Sequence, residues 1–258
     1  MLLVMDVGNS HTKLGLYDGE TLVANWRIVT TSSRTIDEFR IMLNALLIQE
    51  DISTKSITGC CIASVVPPVN NSIDAVCKSL LKITPVFVVP GVRTGITIKV
   101  ENPKEVGADR IVNSVAAAEE FGGPVIVVDL GTATKFEVIS ENAEYLGGII
   151  APGVQISADA LFDRCAKLAR IEIATPDHVI GKDTVSHIRA GLTYGNADMV
   201  DGLIARIAHE MRADPKVVAT GGFAPLIGPL CRRIDHVDPL LTLKGLRAVF
   251  VKNEKAIA

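Results

Sequence analysis

The chain has 258 residues, 48% of them hydrophobic and 21% charged, with a formal net charge of −3. That length can bury a sizeable core as one large domain or two small ones. The slightly acidic balance and the 4% aromatic content exclude a basic nucleic-acid groove, a cationic membrane patch and a stacking platform for single strands. Five cysteines (Cys60, Cys61, Cys77, Cys165, Cys231) are odd in number and never spaced Cys-x-x-Cys, so they read as reduced thiols of a cytosolic protein. The opening run MLLVMD reaches an acid too early for a signal peptide or a membrane span, so a cytoplasmic protein with no membrane role is expected.

In chain order, LLVMDV is a continuous apolar run of the kind that forms a buried strand, TKLGLYD alternates, and Asp18-Gly19 predicts a hairpin into TLVANWRIV. TIDEFRIMLNALLIQED puts Phe39, Met42, Leu43, Leu46 and Leu47 on one helical face. SITGCCIASVV predicts another buried strand, closed by Pro67-Pro68, followed by a helix through VNNSIDAVCKSLL and a short strand PVFVV. A helix is predicted through RIVNSVAAAEEF. Near Gly122 the pattern restarts: VIVVDLGTATKFEVISENAEYLGGIIAPG again reads strand, turn, strand, turn, strand. Helices are predicted over VQISADALFDRCAKLA and DTVSHIRAGLTYGNADMVDGLIARIAHEMR, then a strand KVVAT that ends in GGF and opens a helix. Strands alternating with helices indicate an α/β protein.

The restart has a fixed offset. Asp129 lies 123 residues after Asp6, and Gly131 lies 123 after Gly8. Each half presents an apolar run, an Asp, one apolar residue, a Gly and then small hydroxyl or amide residues, followed by two hairpins. This predicts a duplication with domains 1–121 and 122–258.

The repeated turn suggests phosphate chemistry. In DVGNSHTK, Gly8 lets backbone N–H groups approach a ligand, and the hydroxyls of Ser10 and Thr12 join those of the turn to cradle phosphate oxygens, with Lys13 adding a point charge. A carboxylate facing a triphosphate alone would be repulsive. Facing Mg²⁺, directly or through water, Asp6 fixes the metal against the phosphates, and Asp129 is its counterpart. His11 reads as an exposed turn residue, and Asn9 either binds or caps the turn. The Gly-x-x-x-x-Gly-Lys loop does not occur in the chain.

A further constellation is ENPKEVGADR. Gly107 and Ala108 are small enough to let the backbone approach a substrate. Asp109 at the start of a helix suits a base that accepts the proton of an attacking alcohol, and Arg110 suits a fork for a substrate carboxylate. A helix-start acid and a surface arginine fit the spacing equally well. Gly221-Gly222 would let a base or ribose lie on the backbone, or would simply make a tight turn. Gly147, Gly148 and Gly153 are ambiguous in the same way.

DVGNSHTKLG, NPKEVGADR, DLGTAT, GGIIAPG and TGG together resemble the type III pantothenate kinases, within the actin / sugar-kinase / Hsp70-like superfamily, over essentially the whole chain. The resemblance implies duplicated ribonuclease H-like domains, a homodimer, and ATP-dependent phosphorylation of pantothenate, the first step of coenzyme A synthesis. It implies that Asp109 accepts the proton and that Asp129 binds a monovalent cation, K⁺ or NH₄⁺. It places ATP against the segment Asp6, Val7, Gly8, Asn9, Ser10, His11, Thr12 and Lys13 and against Thr132. Pantothenate would meet Val100, Gly107, Ala108, Asp109, Arg110 and Thr184, the last reaching from the partner subunit's site. Three departures stand out: Val100 replaces a common aromatic residue, Lys135-Phe136-Glu137 replaces Thr-Phe-Asp, and Cys165 and Arg170 replace a Thr and a Pro. Lys135 beside a cation site is expected to weaken or replace the ion.

The reading is therefore a kinase using ATP, Mg²⁺ and a monovalent cation. The rivals are a kinase of the same superfamily acting on another alcohol, and a nucleotide-responsive regulator of transcription. The three acids Asp6, Asp109 and Asp129 argue against the second, because a binder needs no base.

Overall fold

The computed structural model describes residues 1–165 and 168–254. Strands β1 (Leu2–Val7), β2 (His11–Asp18) and β3 (Thr21–Val29) form an antiparallel meander. Gly19 takes φ 59° in the second turn, the left-handed conformation that a two-residue hairpin requires. Helix α1 (Ile36–Gln49) starts in a capping box, with the Thr35 hydroxyl accepting from the Glu38 N–H and Glu38 reaching back. It buries Phe39, Leu43 and Leu47 and half-buries Met42 and Leu46, so the face predicted from periodicity is the face that packs. Each full burial contributes about 1.5–3 kcal/mol.

β4 (Gly59–Ser64) lies parallel to β1. α2 (Pro67–Val76) opens on its two prolines, whose fixed φ suits a first helical turn, and runs into a π-helical turn over Cys77–Leu81. β5 (Val86–Phe87) keeps only two residues of the predicted strand, and β6 (Thr97–Ile98) was not anticipated. α3 (Ala108–Phe121) follows.

β7 (Val125–Leu130), β8 (Ala133–Ile139) and β9 (Glu144–Pro152) repeat the meander. Then come α4 (Val154–Arg164), α5 (Thr184–Met211), β10 (Lys216–Thr220), a single turn α6 (Ala224–Ile227), β11 (His236–Val237) and α7 (Leu241–Asn253). The helix expected over 154–169 stops at Arg164, and positions 166–167 lie outside the described residues. α7 gives no clean periodic signal because Gly245 interrupts it; there a Cβ would collide with the Val112 carbonyl of α3.

The two sheets share one topology. Their orders are β3-β2-β1-β4-β5 and β11-β10-β7-β8-β9-β6, so β1, β2, β3, β4 and β5 correspond to β7, β8, β9, β10 and β11, with β6 added at one edge. The duplication extends to a bulge: Leu16 pairs Ala24 and Tyr17 pairs Leu22, skipping Val23, while Val138 pairs Gly147 and Ile139 pairs Tyr145, skipping Leu146. This is an α/β fold of duplicated actin-like halves.

The chain forms two compact units. Among the described residues, one comprises 1–95, 102–116 and 242–254; the other comprises 96–101, 117–165 and 168–241. In the first, one sheet face carries Leu3, Met5, Val7, Leu14 and Leu16 against Phe39, Leu43, Val69 and Ile73 of α1 and α2. The opposite face receives α7, whose Leu243 and Phe250 lie over Gly15 and Gly59. In the second unit, Ile126, Val128, Leu130, Phe136 and Val138 pack against Val154, Ala158, Leu192, Val200 and Ile204. Side chains alternate along a strand, so Asp6 and Asp129 each lie on the face opposite these helix-covered cores.

Candidate active site

The first turn is built by Gly8, whose N–H donates to the His11 carbonyl at 3.1 Å. Asp6 stands one residue from the end of β1, and the register sets it opposite Lys13 on β2 and Ala63 on β4. Asn9, Ser10 and His11 are exposed around the bend, while Val7 is buried in the core. Thr12 is turned inward: it is 4% exposed and its hydroxyl meets that of Thr30 at 2.9 Å, an arrangement that braces β2 against the segment after β3. The phosphate role expected for its hydroxyl is therefore better suited to Ser10. Lys13 makes no ion pair among the described residues.

Asp109 belongs to the same unit. It sits in the first turn of α3, where the helix dipole favours an anion. The Gly107 carbonyl accepts from the N–H groups of Arg110 (3.1 Å) and Ile111 (3.2 Å), which closes the first turn. A Cβ on Gly107 would stand 2.6 Å from Asp109 Oδ1 and 3.6 Å from Val65 Cγ1. The glycine is thus needed for the carboxylate to fold back over the backbone. Val65 directly follows β4 and donates its N–H to the Val7 carbonyl at 3.0 Å. Asp109 therefore lies at the carboxyl ends of β1 and β4, the edge where the Asp6 turn emerges. In α/β sheets this is the edge where ligands bind. Ala108 is buried and Arg110 is half-buried beside it, with the Arg110 carbonyl accepting from Ser114 Oγ at 2.8 Å.

The second turn is one residue shorter: the Gly131 N–H donates to the Ala133 carbonyl at 3.2 Å. Thr132 is its exposed tip. A Cβ on Gly153 would collide with the Thr132 carbonyl, so the end of β9 lies directly against this bend. Asp129 is set opposite Lys135 on β8 and Thr220 on β10. Here the Asp–Lys pair is closed: Lys135 Nζ lies 2.8 Å from Asp129 Oδ2, with the side chains 16% and 14% exposed. At such a distance and an effective permittivity near 20, the direct attraction is on the order of 5 kcal/mol before desolvation is subtracted.

Asp129 Oδ1 faces two glycines, since a Cβ on Gly221 would be 2.6 Å from it and one on Gly131 3.2 Å. Gly221 also takes φ 98°, so its conformation and its space both require glycine. The sequence alone reads this Gly-Gly as a platform under a base or as a tight turn; its contact with Asp129 comes from the fold. The parallel pairing of Thr220 with Asp129 is the feature that reveals it. Thr220 Oγ1 is buried without a hydrogen-bond partner on the same sheet face.

The remaining residues of interest lie elsewhere in the second unit. Val100 points toward Gly147, 3.7 Å from where a Cβ would be. Thr184 is exposed as the first residue of α5, whose Asp183 cap accepts from the Ser186 N–H at 2.9 Å, a bond that favours the charged carboxylate and lowers its pKa. Arg170 bridges Asp159 and Asp163 of α4 at 2.8 Å each, which ties the segment after Cys165 back to that helix. The cysteines are all free, and burial pushes Cys61 and Cys231 up to about 12. Thiols so hard to ionise are poor nucleophiles at neutral pH.

The donor set discriminates between the two implied ions. A magnesium ion carried on nucleotide phosphates keeps several waters and needs only one or two protein carboxylates, which Asp6 beside an exposed turn can supply. A monovalent cation at Asp129 does not fit, because an ammonium already holds one oxygen of that carboxylate and glycines enclose the other. No group of three acidic, His or Cys side chains able to hold a metal ion exists among the described residues. No helix among them is long and apolar enough to cross a membrane.

The sequence model of the family "Type III pantothenate kinase" matches residues 2–206. A type III pantothenate kinase of Geobacillus kaustophilus is 50% identical over 253 residues, covering 98% of each chain. One from Syntrophus aciditrophicus is 49% identical over 98% of this chain and 100% of its own. Among solved structures, the activator of the 2-hydroxyisocaproyl-CoA dehydratase from Clostridium difficile, with bound ADPNP, superposes with a TM-score of 0.59 at 14% identity over 99% of this chain and 96% of its own, a likeness of fold. With a phosphate-type turn in each half and an acid-bearing helix start at the strand edge, matched from end to end at half identity, this chain belongs to the type III pantothenate kinase family.

Proposed function

We propose that the protein transfers the γ-phosphoryl group of ATP to the primary hydroxyl of pantothenate, with Asp109 as the proton acceptor. The observation that supports this most directly is the placement of Asp109, over Gly107 and beside Val65, at the strand edge where Asp6 and its turn also stand. The hydroxyl oxygen attacks phosphorus, its proton passes to an Asp109 carboxylate oxygen, and the bond to the β-phosphate oxygen breaks to leave ADP. The exposed bend from Asn9 to His11, the Ser10 hydroxyl and the Lys13 ammonium bind and orient the phosphates, and Arg110 takes the pantothenate carboxylate. Thr132 is assigned to ATP on family membership. Asp6 would hold magnesium, directly or through water, and the metal when bound would neutralise phosphate charge and align the transferring group. Since phosphoryl transfer requires little covalent participation, positioning and charge carry the rate.

Val100 and Thr184 are assigned to the pantothenate pocket on family membership. The seam between the two repeat copies is placed between residues 121 and 122, with α7 lent to the first copy. A cytoplasmic homodimer is part of the same reading. It is consistent with the exposed apolar side chains Ile150, Ile156, Val179 and Ile180 in the second unit, and light scattering of the purified protein tests it. Neither another acceptor alcohol nor a regulatory role gains support from the comparisons.

The decisive experiment is Asp109→Asn. Turnover measured by ADP release with pantothenate and MgATP is expected to vanish, while nucleotide binding measured by calorimetry persists. A near-normal kcat in that variant rejects the base.

A further inference from the structure

The two turns share a register in which the acid faces a lysine, yet only the second lysine reaches its acid. Lys135 and Asp129 are directly opposed on β8 and β7, and that ladder is pinned on both sides of the pair, from Val125–Ile139 to Leu130–Thr134. The ammonium lies 2.8 Å from Oδ2, and both side chains are mostly removed from water. Oδ1 is enclosed where Gly131 and Gly221 lack side chains. Glu137, two residues along the same face and fully buried, accepts a hydrogen bond from the Tyr145 hydroxyl at 2.7 Å. A monocation arriving at Asp129 would meet an acid already neutralised and an ammonium of its own sign.

We propose that Lys135 is a tethered substitute for the monovalent cation that the family resemblance assigns to Asp129, so that this kinase needs neither K⁺ nor NH₄⁺. An ammonium on a side chain has the charge of either ion and the geometry of one of them, and the β8–β7 ladder holds it permanently at saturating local concentration. Potassium then has no place to act. Lys135 is a positioning residue: it fixes the charge and orientation of Asp129 and, through the Leu130–Gly131 backbone, the bend at Thr132. The inference rests on the kinase reading above.

The test uses the purified full chain in potassium- and ammonium-free buffer, with choline chloride replacing KCl at an equal ionic strength of about 0.1 M so that screening is constant. Wild-type ADP release with pantothenate and MgATP is expected to change by less than about twofold when KCl replaces choline chloride. Lys135→Thr, which vacates the site, is expected to lose about tenfold or more in kcat in choline chloride and to regain it with KCl or NH₄Cl. A second readout needs no turnover: in the nucleotide-free protein, KCl is expected to leave the wild-type Tm unmoved and to raise that of Lys135→Thr, because an ion that binds only the folded state stabilises it.

A wild-type rate that rises tenfold with KCl overturns the proposal, as does a wild-type Tm that KCl raises specifically over choline. A Lys135→Thr enzyme that is fully active without either ion overturns it too. If Lys135→Thr fails to fold, the wild-type rate and Tm responses decide. If the wild type releases no ADP in any salt, it is the kinase reading that fails, and the Tm arm still decides whether Lys135 or an ion fills the site.

Discussion

The turn after β1 and the turn after β7 share one pattern but are built differently. Each follows a buried strand that ends in Asp-x-Gly, and each sets the acid across from a lysine. The first bend has four residues beyond the paired strands (Gly8 to His11), the second only three (Gly131 to Ala133). The shorter bend is braced from two sides, by Gly153 and Gly221, and its lysine closes on its acid at 2.8 Å. The longer one presents exposed Asn9, Ser10 and His11, and its Lys13 makes no ion pair among the described residues. The difference teaches that a repeated motif keeps the strand-turn-strand plan, while single insertions and neighbours decide whether its lysine closes on its acid.

The sharpest way to break that comparison is to neutralise each acid. Asp6→Asn is expected to lower kcat/KM for MgATP by about a hundredfold or more with the fold intact. Asp129→Asn is expected to lower kcat and, in addition, to destabilise the chain by about 3 kcal/mol in thermal unfolding because it strands a mostly buried ammonium. Equal stability losses in the two variants would erase the distinction. The glycines give the next contrast. Gly221→Ala forces a Cβ at positive φ into Asp129 and the Leu130 backbone and is expected to cost about 2–3 kcal/mol. Gly8→Ala meets only the His11 carbonyl at 3.1 Å and is expected to cost under about 1 kcal/mol.

Gly107→Ala separates position from stability. The added methyl displaces the Asp109 carboxylate, so kcat is expected to fall about tenfold while KM for ATP and Tm stay near wild type. A loss confined to Tm would show that Gly107 serves packing alone. The smallest contrast lies at equivalent strand positions, Thr12 opposite Val7 and Thr134 opposite Leu130. Thr12→Val removes the bond to Thr30 and is expected to cost about 1 kcal/mol. The Thr134 hydroxyl is buried without a partner, so Thr134→Val is expected to be neutral or slightly stabilising in denaturant unfolding.

Much of this arrangement is legible in the sequence because it is local. Continuous apolar runs made β1, β4, β7 and β10; the spacing from Phe39 to Leu47 made the buried face of α1; and the 123-residue offset of Asp6 and Asp129 matches two sheets of the same strand order. What escaped notice consists of short or interrupted elements, β6, β11 and α7, whose pairing energy comes from remote strands or from a backbone approach at Gly245. A two-residue strand has no periodicity to read.

The sequence by itself determined the family, the duplicated α/β plan and the identity of the three acids, because these rest on residue type and spacing along one strand or helix. Only the tertiary structure decided the surroundings of each acid: Gly107 clearing room for Asp109 beside Val65, Thr12 turned to Thr30, and Lys135 and Gly221 enclosing Asp129. Those relations depend on strand register and on the length of a turn. A single residue added or removed there re-aims every charge that follows, while the pattern of residue types along the chain hardly changes.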